Sequence, residues 1–499
     1  MKLGALIEQA GFEVDAGADT SVTGFAIDHR KVAPGTVFGA FRGAKFNAED
    51  FIPAAVEAGA VAVIASPEAK VEGALHIASD EPRQTFAQMA AGFFTPVPGT
   101  IVAVTGTNGK TSVSEMTRQI WRMCGERSAS IGTLGVTTPD GSVSTGLTTP
   151  DIVTFLSNMS GLAREGVTHV AYEASSHGLS QYRKEGLRVS AGAFTNFSRD
   201  HLDYHGTMEE YFGCKMRLFA EVVESGGHAV IWHGNDKNEW TLSAIASAKA
   251  GGLNTFTVGD RGDSLRLVAR EASQLGQMLE IEHQGSIRTV KLPLIGAYQA
   301  ANALVAAGLA IVSGADVGQV FDAISRLQPV RGRLERACIT TSGAPAYVDY
   351  AHTPDALEAV IAALRPHVGT DGRLIVVFGA GGDRDTGKRA PMGEVAARHA
   401  DLAIVTDDNP RGETPADIRA AVLAGAKRAD HVRSIAGRRE AIAAAIAEAS
   451  ANDIILIAGK GHEQGQIIGS GETMQVLPFD DVEVARECAA VPAQSGVSG

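Results

Sequence analysis

Ile101-Val102-Ala103-Val104-Thr105-Gly106-Thr107-Asn108-Gly109-Lys110-Thr111 is the stretch on which the fold turns. Four apolar residues, 101–104, read as a short buried strand. A glycine-containing loop follows, and the spacing predicts a helix from about Lys110 to Met123. Small residues let backbone N–H groups close around phosphates, and the helix N-terminus adds partial positive charge. Lys110 is placed to reach the β- and γ-phosphates, and the Thr111 hydroxyl to ligate Mg²⁺. The strict phosphate-loop pattern asks for glycine five residues before Gly109, where this chain has Val104, so the match is to a shorter variant. A plain glycine turn with a solvated lysine is the alternative, and the strand-loop-helix context favours the nucleotide.

Working outward, residues 167–172, 189–194 and 228–232 are further buried-strand candidates. Strands alternating with helical patterns predict a mostly parallel α/β sheet, whose ligands bind at the carboxyl ends of strands. One such end carries Tyr172-Glu173-Ala174-Ser175-Ser176-His177-Gly178, where Glu173 could hold Mg²⁺ and either serine could cap a helix. Another carries Thr195-Asn196-Phe197-Ser198-Arg199-Asp200-His201-Leu202-Asp203-Tyr204-His205. Two histidines and two aspartates within Asp200–His205, beside the other two loops, favour a metal and phosphate site. Lys215 lies ten residues beyond His205 in a helical segment, and reads as a solvated helix lysine.

Upstream, residues 21–28 and 36–41 alternate in strand fashion, 61–65 is a buried run and 83–94 reads as a helix. Thr95-Pro96-Val97-Pro98-Gly99 then breaks the pattern, and Gln328-Pro329-Val330 marks a second boundary. Residues 254–294 read as β-rich and solvent-facing, followed by a long helix through Asn302. Beyond the second boundary, strands are expected at 346–350, 374–378, 402–406 and 454–458, with helices at 355–364, 415–426 and 438–447. This alternation predicts an open doubly wound sheet. The expected domains are residues 1–95, 96–329 and 330–499, in keeping with a chain of 499 residues at about 150 residues per domain.

The last region has its own cluster of strand-end loops. They are Asp349-Tyr350-Ala351-His352-Thr353-Pro354, Gly379-Ala380-Gly381-Gly382-Asp383-Arg384-Asp385, Asp407-Asp408-Asn409-Pro410-Arg411-Gly412 and Gly459-Lys460-Gly461-His462-Glu463. Arg384 and Arg411 suit bidentate recognition of a carboxylate, while Asp408 and Glu463 suit an ammonium. A small zwitterion satisfies both signs.

Composition narrows the field. Hydrophobic residues are 44% and charged residues 20%, which excludes a wholly disordered chain. The formal net charge of −13 disfavours a general nucleic-acid binder. Cys124, Cys214, Cys338 and Cys488 form no C-x-x-C pair, so neither a zinc site nor a disulfide framework is expected, and a reducing, cytoplasmic location fits. The first residues show no apolar core of signal-peptide length. Residues 292–315 carry no charge, but Pro293, Gln299 and Asn302 favour a buried helix over a membrane span.

These motifs, in this order, resemble the Mur ligases over residues 20–485, and within them the branch that adds the third residue of the peptidoglycan peptide. Gly106–Thr111 with Ser112 is similar to the family's ATP loop. Thr148-Thr149-Pro150, the Glu173 and His201 stretches, Arg331-Gly332-Arg333-Leu334-Glu335 and the four C-terminal loops match its other motifs. The resemblance implies three domains: a small N-terminal α/β uridine-nucleotide domain, a central ATPase domain and a C-terminal Rossmann-like domain. It implies an ATP-dependent amide ligase joining meso-diaminopimelate to UDP-MurNAc-L-Ala-D-Glu through an acyl phosphate, with Mg²⁺, as a cytoplasmic monomer without nucleic-acid partners. By the same resemblance Gly106, Thr107, Asn108, Gly109, Lys110, Thr111, Ser112, Asn302, Arg333, Asp349 and His352 hold ATP. Ile27, His29, Thr148, Thr149, Ser175, Gln181 and Arg183 grip the UDP-substrate. Arg384, Asp408, Asn409, Pro410, Arg411, Gly459 and Glu463 contact diaminopimelate. Thr111, Glu173, His201 and Lys215, the last carboxylated by CO₂ to a carbamate, serve the metal. Lys110, Lys215, Arg333 and His201 form its catalytic set, and closure of the domains assembles the site.

Three alternatives compete. Asp408-Asn409-Pro410-Arg411 matches the diaminopimelate motif, and lysine-adding relatives usually lack that arginine, so L-lysine is the nearest rival acceptor. Folylpolyglutamate synthetases share the ATP loop, but neither that motif nor the N-terminal region. A non-catalytic nucleotide-binding regulator is disfavoured by intact Lys110, Glu173, His201 and Lys215.

Overall fold

The computed structural model describes residues 1–12, 17–43, 46–143, 150–183, 186–235, 238–427 and 429–490. The fold divides into two compact units, Met1–Ser264 with Val305–Val320, and Leu265–Leu304 with Phe321–Gly499.

In the first unit, Gly24–Ala26, Thr36–Gly39, Ala60–Ala65 and Leu75–Ala78 form a parallel sheet in that order. Period-2 alternation divides its side chains between two cores. Val37, Ala62 and Ile64 pack with Phe86 of the helix Pro82–Phe93, whereas Phe38, Val63 and Ala65 pack with Ile52 and Ala55. The strand expected at 21–28 is confined to Gly24–Ala26, because the Asp28 carboxylate accepts from the N–H of Arg30 and starts the 3₁₀ turn His29–Lys31.

The larger sheet of this unit runs, neighbour to neighbour, Asn254–Gly259, Val223–Trp232, Val189–Phe194, Thr100–Thr105, His169–Glu173 and Ser128–Gly132, all parallel. Gly135–Thr137 and Ser142–Val143 add antiparallel strands at one edge. Ile101, Val102, Ala103 and Val104 are at most 1% exposed, as a parallel strand covered on both faces requires. The expected strand and helix around the phosphate loop are Thr100–Thr105 and Lys110–Met123. Because the central strands are parallel, the loops after Thr105, Glu173, Phe194 and Gly132 leave the same edge.

The second unit contains the antiparallel meander Leu265–Ser273, Gly276–His283, Ser286–Leu292. Its main sheet runs Glu335–Ile339, Pro345–Asp349, Ile454–Ala458, Leu374–Ala380, Leu402–Asp407, Val432–Ser434, parallel except for the first pair. Leu374, Val376 and Phe378 face one core with Leu357 and Met392; Ile375 and Val377 face the other with Ile442 and Ile446. Helices therefore cover both faces, which is the doubly wound arrangement expected. The helix Arg389–His399 was not expected. Its Gly393 and the Gly425 of Pro415–Gly425 resemble breakers, but they let two helices touch: a Cβ on Gly393 would meet the Val422 carbonyl oxygen at 1.9 Å, and one on Gly425 that of Ala390 at 1.8 Å. The uncharged stretch near 300 contains the 16-residue helix Ala297–Val312, and among the described residues no helix is long and apolar enough to cross a membrane.

Candidate active site

The loop after Thr100–Thr105 is tied down at Thr107 and Asn108 by the loop after Val189–Phe194. The N–H of Thr107 donates to the Asn196 carbonyl at 2.9 Å, and the N–H of Asn108 to Asn196 Oδ1 at 2.9 Å. Thr195 Oγ1 and Asn196 Nδ2 donate to the Asn108 carbonyl at 2.5 and 3.0 Å. Gly106 has φ +138°, and a Cβ there would stand 2.0 Å from Thr195 Oγ1. Gly109, at φ +88°, begins the helix Lys110–Met123, so Thr111 and Ser112 fall in its first turn. Lys110 Nζ donates to the carbonyls of Gly106 and Thr107 at 3.0 and 2.7 Å, folded onto the loop it would serve.

Glu173 ends the strand His169–Glu173 and is 1% exposed. Its carboxylate accepts from the Thr133 N–H at 2.6 Å and from Thr133 Oγ1 at 3.3 Å, and Thr111 Oγ1 lies 3.4 Å from Thr133 Oγ1. The structure thus brings Thr111 and Glu173 together through Thr133, which sequence reasoning missed. Among the described residues no three His, Cys, Asp or Glu side chains converge as a metal site. One buried carboxylate beside one hydroxyl is the donor set by which Mg²⁺ is held jointly by protein and substrate phosphates, so the residues present fit that ion.

Lys215 is not the solvated helix lysine its sequence suggested. It is 1% exposed, and its Nζ donates to the Gly106 carbonyl at 2.7 Å and lies 4.4 Å from the Tyr211 ring centroid. Burial, then the neighbouring Lys110 cation, pushes its pKa well below that of an ordinary lysine. The signal was available: Tyr211 and Lys215 are i,i+4 in the helix Met208–Arg217 and share a face. Tyr211 organises this side of the site. Its hydroxyl is 3.3 Å from Thr107 Oγ1, its ring is 5.1 Å from His205 and 6.2 Å from His201, and burial pushes its pKa up to about 12. His201 has φ +50°, Nε2 3.5 Å from Asp200 Oδ2, and its ring 5.0 Å from His177. Its neighbour His205 is buried and held below the usual histidine range, first by burial and then by His177, Lys215 and His201.

Ser175 caps the short helix Ser176–Ser180, accepting from the Gly178 N–H at 3.1 Å. Gln181 Nε2 donates to the Tyr204 hydroxyl at 3.0 Å, and Arg183 Nε to Gln181 Oε1 at 3.0 Å. Thr148 and Thr149 lie outside the described residues. Ile27 and His29 line a cavity of about 470 Å³ with Phe38, Phe46, Phe51 and Asp151. His29 stacks on Phe51 at 4.4 Å, and Phe46 on Phe51 at 5.1 Å.

In the second unit, the Asp349 carboxylate accepts from the N–H groups of Leu334 and Ala351 at 2.8 and 2.9 Å, and burial raises its pKa. Arg333 lies over the Tyr350 ring at 4.8 Å. Gln299 Nε2 donates to the Arg333 carbonyl at 2.9 Å, and Asn302 Nδ2 to Gln299 Oε1 at 3.2 Å, so these expected nucleotide residues are joined through Gln299. His352 Nδ1 is 2.9 Å from the Tyr350 carbonyl, and Lys388 Nζ donates to the His352 carbonyl at 2.8 Å.

The expected acceptor loops meet at the carboxyl edge of this unit's sheet. Arg411 has φ +50° and is pinned by the hairpin Gly465–Ile468, Gln475–Pro478: its N–H donates to the Ile467 carbonyl at 3.1 Å, and its carbonyl accepts from Gly469 at 2.8 Å. Arg411 Nη1 donates to the Gly382 carbonyl at 2.9 Å. Asn409 Nδ2 donates to Glu463 Oε2 at 2.9 Å. Gly459, at φ +119°, leaves room for Asp408, whose Oδ2 would lie 2.8 Å from a Cβ at that position. The Pro410 carbonyl oxygen would stand 1.9 Å from a Cβ on Gly382. Arg384 is exposed on the adjoining loop.

Comparison with known proteins agrees with this geometry. Residues 104–310 match the Mur ligase middle domain, and residues 332–461 the Mur ligase glutamate ligase domain. The chain is 59% identical to the UDP-N-acetylmuramoyl-L-alanyl-D-glutamate--2,6-diaminopimelate ligase of Zymomonas mobilis, covering 94% of this chain and 95% of that protein. It is 51% identical to the ligase of the same name from Bradyrhizobium diazoefficiens, covering 98% and 99%. A solved structure of a ligase of that name aligns with TM-score 0.74 and 34% identity over 98% of this chain and 99% of the other.

Proposed function

The chain belongs to the Mur ligase family, and from that membership we propose that it joins meso-2,6-diaminopimelate to the D-glutamyl carboxylate of UDP-MurNAc-L-Ala-D-Glu. It is an ATP-dependent, ADP-forming ligase. A carboxylate is a poor electrophile, so the reaction takes two steps. The glutamyl carboxylate oxygen attacks the γ-phosphorus of ATP, the bond to the β-phosphate bridging oxygen breaks, and ADP leaves. The acceptor amine, having lost its proton, attacks the acyl carbon, and inorganic phosphate departs with the electron pair of the C–O bond.

The protein's part is positioning and charge neutralisation. The N-terminal turn of the helix that begins at Lys110 and the Lys110 cation receive the phosphates, on a loop whose Thr107 and Asn108 N–H groups are already held by Asn196. Asn302, Arg333, Asp349 and His352 are assigned to ATP as well. Thr111 and Glu173, with His201 and a carbamate on Lys215, would hold Mg²⁺, which when bound neutralises phosphate charge. A neutral buried amine is the form that adds to CO₂, and the depressed Lys215 supplies it. Ile27, His29, Thr148, Thr149, Ser175, Gln181 and Arg183 are assigned to the UDP-substrate. In this organisation residues 1–95 carry the uridine end, 96–329 ATP and 330–499 the amino acid.

The acceptor assignment is carried by Arg411 beside Asn409 and Glu463. Diaminopimelate has a distal carboxylate that lysine lacks, and a guanidinium with no carboxylate to meet would be desolvated at a cost. The test is phosphate release with ATP, Mg²⁺ and UDP-MurNAc-L-Ala-D-Glu, comparing meso-diaminopimelate with L-lysine. Release with diaminopimelate alone is expected. Release with lysine instead would sink the acceptor assignment and keep the family.

A further inference from the structure

Lys460 is a fully buried charged side chain, at 0% exposure, to which nothing above gives a role. Its Nζ donates to Asn409 Oδ1 at 2.9 Å and to Glu463 Oε2 at 3.4 Å, and stands 3.8 Å from Asp408 Oδ1. Asn409 Oδ1 accepts a second bond, from the Ile467 N–H at 2.9 Å. With both lone pairs of that oxygen engaged by donors, the amide has one orientation, and its Nδ2 is committed to Glu463 Oε2 at 2.9 Å. One oxygen of Glu463 is thereby filled by two donors, and the described residues give the other, Oε1, no hydrogen bond.

The neighbouring buried cation Arg438 is consumed by Asp481 at 2.6 Å, with both side chains fully buried. Lys460 is thus the buried cation that reaches Asn409 and Glu463, while Lys388 is a further cation beside Asp408.

We propose that Lys460 is a positioning residue for the acceptor: by locking Asn409 and half of Glu463, it presents one carboxylate oxygen to an ammonium of the incoming amino acid. This rests on the acceptor assignment above and extends it to a residue that touches no substrate. If Lys460 acts through Glu463, removing both must cost little more than removing Glu463 alone.

The experiment compares wild type, Lys460→Met, Glu463→Gln and the double variant in phosphate release, reading KM for diaminopimelate, ATP and the UDP-substrate, with thermal midpoints alongside. Each single variant is expected to raise the acceptor KM by about ten- to a hundredfold. The two nucleotide KM values should stay within about twofold, and the double variant should match Glu463→Gln. Multiplicative losses, or a rise in all three KM values, would make Lys460 a purely structural ion and overturn the proposal. Should Lys460→Met fail to fold, Lys460→Gln, one bond too short to reach Asn409 and Glu463 as the ammonium does, is read in its place, and an unchanged acceptor KM there would overturn it equally. Wild type that releases no phosphate with diaminopimelate would instead sink the acceptor assignment on which the proposal stands, a distinct outcome read before any variant.

Discussion

Lys215 Nζ donates to the carbonyl oxygen of Gly106 at 2.7 Å, joining residues 109 apart in sequence. The contact places a desolvated amine against the loop proposed to receive ATP. An amine whose pKa is depressed by burial is neutral at a pH where an ordinary lysine is charged, and only the neutral form adds to CO₂. Arginine at this position keeps a cation and loses the nucleophile. Lys215→Arg is expected to lower kcat by about 10²–10³-fold. In wild type, ¹³C-bicarbonate should give a carbamate carbon resonance that the variant lacks. A variant with wild-type kcat would exclude the carbamate.

Gly132 ends the strand Ser128–Gly132, and a Cβ there would stand 2.0 Å from Glu173 Oε1. The carboxylate would have to swing away from Thr133, and with it from Thr111. Gly132→Ala should therefore raise the Mg²⁺ concentration needed for half-maximal rate by an order of magnitude or so, since one carboxylate is displaced. The overpacking should also cost about 1–3 kcal/mol in urea unfolding. A Mg²⁺ titration of phosphate release, unchanged in the variant, would remove Glu173 from the proposed ion site.

The loop proposed to receive the phosphates was legible as a structure because its pattern is local: one strand, one glycine loop and one helix lie in 24 consecutive residues, Thr100–Met123. The strand-end loops proposed for the acceptor were legible as a cluster for a related reason, since each carries its own glycine and charges. What the sequence hid depends on distant packing. Tyr211 looks like any helix aromatic until Thr107, His205 and Lys215 are seen around it. Gln299 reads only as a polar residue in an uncharged helical stretch, yet it anchors the Arg333 backbone. The helix Arg389–His399 was obscured because Gly393 serves close helix contact, a property of its partner rather than of its own pattern.

Arg411 is held in a left-handed conformation, at φ +50°, by hydrogen bonds to Ile467 and from Gly469. Its backbone is thus held by the hairpin, and the guanidinium adds a bond from Nη1 to the Gly382 carbonyl at 2.9 Å. Arg411→Ala should fold normally and raise the KM for diaminopimelate by about ten- to a hundredfold, the loss of a charge-assisted pairing. Arg411→Lys should recover only part of this, because an ammonium cannot offer the two parallel N–H groups. Steady-state phosphate release decides the matter. An unchanged acceptor KM in Arg411→Ala would mean that the distal carboxylate is read elsewhere.

His462 follows Gly461, and its Nδ1 is buried without a partner among the described residues, 5.0 Å ring to ring from Tyr350. Burial, then the Arg333 and Arg331 cations, pushes its pKa from 6.5 down to about 4. The folded state therefore holds His462 neutral, while the unfolded chain takes up a proton below pH 6.5. Stability must fall as pH drops from 6.5 to about 4, and this contribution flattens below that, where both states are protonated. The gap corresponds to a ceiling of about 3 kcal/mol, which partial solvent screening reduces to about 1–2 kcal/mol. His462→Gln removes the proton-binding group. Urea unfolding at pH 7 and at pH 4.5 should show the variant losing about 1–2 kcal/mol less than wild type between the two. Equal losses would mean that His462 titrates alike in both states, and that the acid sensitivity belongs to other buried histidines, of which His205 and His367 are depressed in the same direction.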